Sequence, residues 1–154
     1  MTWPEVLHLV SRKLQDCTYR PDAKVIHCGG NSLGKIPKGF LAKQVRNDLS
    51  EIRKLAGPTT LLIWSNILPR LNWLSNIYVG RLEDCRKKIN RAAALQVFRL
   101  GGCWIKHCQI TADTPCLLRS DGIHLSDIGL DIFNLSIKEA IESVMSENLK
   151  AVFE

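Results

Sequence analysis

No leader signal opens this sequence: Met1-Thr2-Trp3-Pro4-Glu5 offers neither a basic stretch nor an apolar core, so nothing directs the chain to secretion and a cytoplasmic location is expected. Long hydrophobic runs are missing too. The longest, around Thr60-Leu61-Leu62-Ile63-Trp64, is bounded by Gly57-Pro58 and Pro69 and is far too short to span a bilayer, which excludes a membrane-spanning helix. The six cysteines (17, 28, 85, 103, 108 and 116) include no Cys-x-x-Cys pair, so the common structural zinc knuckle is absent. A set of Cys103, His107, Cys108 and Cys116 would have to draw tetrahedral ligands from a strand whose side chains alternate faces, which argues against a metal site. Reduced thiols are expected, with Cys28 and Cys103 as buried strand residues. No internal repeat, low-complexity tract or Pro/Ser-rich linker divides the chain, so residues 1–154 read as one domain. The basic residues form no arm and no stripe interleaved with aromatics, so charge alone gives only a weak case for a nucleic-acid partner.

What is present suits a packed domain. Of 154 residues, 45% are hydrophobic and 23% charged, ordinary values for a chain that folds around a single core. Lys and Arg number 21 against 15 Asp and Glu; the net charge of +6 favours anionic partners in general.

Apolar spacing then orders the elements. Val6, Leu7, Val10 and Leu14 recur at helical intervals behind Pro4, predicting a helix over 4–15. Lys24-Val25-Ile26-His27-Cys28 is a short β-type run closed by Gly29-Gly30-Asn31. Phe40, Leu41, Val45, Leu49, Ile52 and Leu55 predict a helix over 38–55 that ends at Gly57-Pro58. A strand over 59–67 follows, then a polar linker through Asn76 and a helix over 77–98 that stops at Gly101-Gly102. Cys103 to His107 reads as a third strand, and a long loop leads to a last helix from Ser126 to about Val144, capped by Ser126 or Asp127. Helices alternating with strands imply an α/β fold, a three-layer sandwich around a parallel sheet of about three strands. Such a sheet is narrow for a doubly wound domain.

Sites in open α/β sheets lie beyond the carboxyl ends of the strands, and two motifs fall there. Gly29-Gly30-Asn31-Ser32 follows a buried strand; its glycines permit a tight turn, and an Asn amide can offer donors to an oxyanion. The same residues could equally be a turn with Asn31 in a left-handed conformation. Asp121-Gly122-Ile123-His124-Leu125-Ser126 sets a carboxylate three residues before an imidazole, so Asp121 can fix the ring's tautomer while the other nitrogen of His124 acts as a base. An Asp-Gly turn with a surface histidine is the plain alternative.

Taken together, Ile26-His27-Cys28-Gly29-Gly30-Asn31-Ser32-Leu33-Gly34 resembles the third conserved block of SGNH (GDSL-like) hydrolases, usually Gly-x-Asn-Asp, and Asp121-Gly122-Ile123-His124 resembles their fifth, Asp-x-x-His. The likeness is greatest to the SGNH-like domains of vertebrate retroelement-type open reading frames, which show patterns similar to Trp64-Ser65-Asn66-Ile67-Leu68-Pro69-Arg70 and Lys88-Ile89-Asn90-Arg91. The resemblance implies a Ser-His-Asp esterase without metal or other cofactor, with His124 as base, Asp121 as its orienter, Asn31 and Gly30 at the oxyanion and a small acyl ester as ligand. The family's nucleophile block, Gly-Asp-Ser or Gly-His-Ser on the first strand, has no counterpart here, and position 32 is serine where the family usually has aspartate. The chain starts at what would be the helix after the second strand, so two strands and the nucleophile are expected to be missing. Ser11, Ser65 and Ser126 stand in no Gly-x-Ser-x-Gly elbow, and Ser32 merely follows the oxyanion candidate. No nucleophile is therefore assigned, and the domain is expected to be inert as given. A competing reading makes it a non-catalytic binding module for RNA or a protein, using Arg86, Lys87, Lys88 and Arg91, which otherwise form a solvated helix face.

Overall fold

The computed structural model describes residues 2–16, 18–73 and 77–153. Cys17 and residues 74–76 of the polar linker lie outside the described residues. A 3-10 turn, Trp3–Glu5, leads into α1, Val6–Gln15. The strands are β1 (Ala23–Ile26), β2 (Leu61–Ser65) and β3 (Cys103–Ile105), separated by α2 (Lys38–Ala56) and α3 (Val79–Arg99) and followed by α4, Asp127–Phe153. The sheet is wholly parallel in the order β1-β2-β3, with Val25 opposite Ile63 and Ile63 opposite Cys103. This is the α/β sandwich that the alternating pattern predicts.

Burial explains the layering. Strand side chains alternate between faces. On β2, Leu62 and Trp64 join the main core with Leu41, Val45, Leu49 and Ile52 of α2 and Leu82, Ile89, Ala93 and Val97 of α3. Ile63 and Ser65, equally buried, point to the opposite face, where Phe133 of α4 lies against the rings of His27 and His107. With both faces covered, β2 reads as a continuous apolar run.

Element ends moved in several places. All three strands stop short of their predicted limits. Cys28 is half-buried in the loop after β1 rather than in a strand, and Cys103, although in β3, is also only half-buried. His107 lies beyond β3 with φ of 54°, a left-handed conformation that ends the extended run. Phe40 and Leu55, counted in the apolar stripe of α2, are exposed, so that stripe is narrower than the sequence suggests. Ser126 caps α4 by accepting from the Gly129 N–H at 3.2 Å, and the helix runs on past Val144 to Phe153. The five described cysteines are unpaired. No helix among the described residues is long and apolar enough to cross a membrane.

Candidate active site

The carboxyl ends of the strands form a rim on which three loops meet. After β1 the chain turns at Gly29, whose φ of 105° suits glycine, into a 3-10 turn, Gly30–Ser32. Asn31 itself is not left-handed; the glycine before it takes that conformation. Ser32 is fully buried, and its hydroxyl accepts from the Trp3 backbone N–H at 2.7 Å, so it anchors the turn and is removed from solvent.

After β2, the loop reaching Arg70 is held by a side chain that the sequence motif contained without explaining. Asn90, buried on α3, accepts from the Ile67 N–H at 2.8 Å and donates to the Ile67 carbonyl at 3.0 Å, replacing the strand partner this peptide lacks. The same carbonyl also accepts from Arg86, which is paired with Glu83. So held, the loop delivers Arg70, whose Nη2 donates to Asn31 Oδ1 at 3.2 Å and whose guanidinium lies 5.3 Å from the ring of Trp73. A Cβ on Gly30 would stand 2.8 Å from that Nη2, so the glycine lets the guanidinium rest on the turn.

The third loop carries Asp121 and His124. Gly122, with φ of 66°, presents its carbonyl to the N–H groups of both Leu71 and Asn72, at 2.8 and 3.1 Å, and so fastens this loop to the one bearing Arg70. Asp121 accepts from the Ile123 and His124 backbone N–H groups through Oδ1 and from His124 Nδ1 through Oδ2 at 2.7 Å. These bonds, the imidazole's first among them, hold its carboxyl well below the usual carboxylate range. A carboxylate at Nδ1 fixes the proton there and leaves Nε2 as an acceptor, on a side chain 70% exposed. Arg70 links the two motifs: it is bonded to Asn31, and the charge of Asp121 works against the desolvation that lowers its pKa.

A second polar chain crosses the same rim and was not read from the sequence. Ser65 at the end of β2 lies between His27 Nδ1 at 2.9 Å and His107 Nε2 at 2.7 Å, and His107 Nδ1 meets Ser136 at 2.6 Å. Ser136 donates to the Phe133 carbonyl at 2.8 Å, and this sets the direction of the whole chain. Its hydroxyl must accept from His107 Nδ1–H; His107 Nε2 then accepts from Ser65, and Ser65 accepts from His27 Nδ1–H. Desolvation, reinforced by the charge of His27, pushes His107 down to about 4. Desolvation against Phe133 also lowers His27 although the residue keeps an exposed edge, with Arg70 repelling its proton as well. A histidine just after β1 and another just after β3 would have been the only signal for this network.

The serines considered as substitutes have other duties. Ser32 and Ser65 are buried in the bonds described, and Ser126 caps α4 while donating to the Cys116 carbonyl. Ser11 lies on α1. Among the described residues none of these four is hydrogen-bonded to His124, and no group of three His, Cys, Asp or Glu side chains could hold a metal ion.

A search of solved structures sets this arrangement beside a known protein. A Clostridium thermocellum family 3 carbohydrate esterase superposes with a TM-score of 0.71 over 96% of this chain and 68% of its own, at 20% sequence identity. The fold is one shared with an esterase. It agrees with the α/β sandwich around a parallel sheet expected from the sequence. No family model matches the chain, and a search of curated proteins finds no match.

Proposed function

We propose that this chain is an SGNH-type esterase domain, akin to those of retroelement-type reading frames, that carries the acid–base and oxyanion half of the site. His124 Nε2 takes the proton from an attacking hydroxyl, and Asp121 holds the ring and stabilises the imidazolium. The Asn31 amide and the Gly30 N–H donate to the oxyanion of a small acyl ester. The observation that carries the reading is the 2.7 Å contact of Asp121 with His124 Nδ1 on a loop fastened beside the Asn31 turn. Acyl transfer needs a nucleophile within about 3 Å of the base, and none of the serines discussed is bonded to it. The chain therefore forms a binding half-site without turnover.

Two measurements test this. Titration with a short acyl ester is expected to shift the NMR signals of the Asn31 side-chain amide and His124 together, and shifts at neither would sink the half-site. A fluorophosphonate probe is expected to leave every serine unlabelled; labelling that disappears in His124→Ala would show that a working nucleophile is present.

A further inference from the structure

On the β3 side of the molecule, a groove of about 1000 Å³ runs between α3, the outer strand β3 and the loops that follow β2 and β3. Such a volume is at the upper end for a ligand site, usually about 300–1,000 Å³. One stretch of its wall is apolar and open to solvent: Leu95 is 49% exposed, Phe98 64% and Trp104 48%, and the two aromatic rings meet edge to face with centroids 6.3 Å apart. Solvent-exposed aromatics grouped in this way mark contact sites more often than scattered surface residues do. Beside them Lys87, Arg91 and Lys106, all exposed, line the same groove. None of the three has a salt-bridge or hydrogen-bond partner among the described residues. Glu83, the one carboxylate among the described lining residues, is already paired with Arg86 at 2.7 Å. The groove thus has uncompensated positive charge in a protein whose net charge is +6.

We infer that this groove binds single-stranded nucleic acid, with bases stacking on Trp104 and Phe98 and phosphates held by Lys87, Arg91 and Lys106. Each part of the geometry answers a part of that ligand. Aromatic faces accept any base, cations along one wall track the backbone, and an open trough admits a strand that enters and leaves. A duplex hides its base faces and cannot use the aromatic wall. An acidic peptide would satisfy the cations and leave the flat rings without a matching partner. Of the basic helix face noted in the sequence, Arg86, Lys87 and Arg91 line the groove and Lys88 does not, and the aromatic wall comes from the end of α3 and from β3.

The test is fluorescence anisotropy of the whole chain with a labelled single-stranded oligouridylate over a salt series. Binding is expected to weaken as salt rises, and Trp104→Ala and Phe98→Ala are each expected to weaken it about tenfold. Arg91→Ala is expected to flatten the logarithmic salt slope by about 0.7, one phosphate contact on a single strand. His124→Ala should bind unchanged, which keeps this inference separate from the esterase reading. Lys13→Ala, at an exposed position on α1, is the control for non-specific charge. Equal loss in Lys13→Ala and Arg91→Ala, or equal affinity for duplex and single strand, would overturn the assignment. So would binding of anionic phospholipid vesicles or poly-glutamate with no binding of the oligonucleotide. The aromatic substitutions lie on the surface, and circular dichroism checks that they fold. Quenching of tryptophan emission in the unmodified protein by the oligonucleotide gives a readout that needs no variant.

Discussion

Lowering the pH should weaken this fold through one residue in particular. His107 is 4% exposed, donates to Ser136 and accepts from Ser65, and titrates at about 4 instead of 6.5. In the unfolded chain the ring meets water and takes up its proton at the ordinary value. Between those two pH values the unfolded state binds more protons, so stability rises with pH across the window. The contribution is complete above 6.5 and is lost as the pH falls through about 4. At about 1.4 kcal/mol per pH unit, the gap amounts to roughly 3 kcal/mol. Urea unfolding followed by tryptophan emission at a series of pH values would measure it; with a slope near 2 kcal/mol/M, the midpoint should fall by roughly 1.5 M. Carboxylates titrate in the lower part of the same range, so the decisive quantity is the difference from His107→Asn. Asparagine tolerates the left-handed backbone at this position and does not titrate. The variant should begin less stable at neutral pH and show a flatter profile. Parallel profiles for the two proteins would refute both the buried neutral imidazole and the hydrogen-bond direction assigned to it.

Other perturbations follow from the same contacts. Asn90→Ala leaves the buried Ile67 N–H without its acceptor and should cost about 2–4 kcal/mol in urea unfolding, while loosening the loop that presents Arg70. Gly122→Ala forces an L-residue to a φ of 66° and should cost about 1–2 kcal/mol, with hydrogen exchange accelerated at the Leu71 and Asn72 amides. Asp121→Asn removes the carboxylate at His124 Nδ1, and nitrogen NMR should show the ring leaving the Nδ1–H tautomer. Iodoacetamide at mild alkaline pH should modify the exposed Cys108 and Cys116 well before Cys28, whose thiol burial pushes up to about 12.

The order of elements was legible because each crossover helix must bury a stripe, and the stripes on α2 and α3 repeat with few interruptions. Their ends were less so: β-type residues such as Cys28 and His107 continue the apolar run in sequence while the backbone has already turned. The pair Asp121 and His124 could be read because three residues separate them. Arg70 and Asn90 could not be assigned a task, since their partners lie 39 and 23 positions away and are brought close only by the parallel crossovers. The Ser65 relay was hidden for the same reason. His27, Ser65 and His107 each resemble an ordinary strand-end residue, and Ser136 an ordinary helix residue, until three strand ends and α4 converge.

The bond between the Trp3 amide and Ser32 has a practical reach. Because the backbone at position 3 is stitched to the turn carrying Asn31, whatever polypeptide is joined ahead of Thr2 emerges next to that turn. A purification handle fused there would leave the fold beside the Asn31 turn, so a tag placed at the other end of the chain is the better choice for any titration that follows that turn.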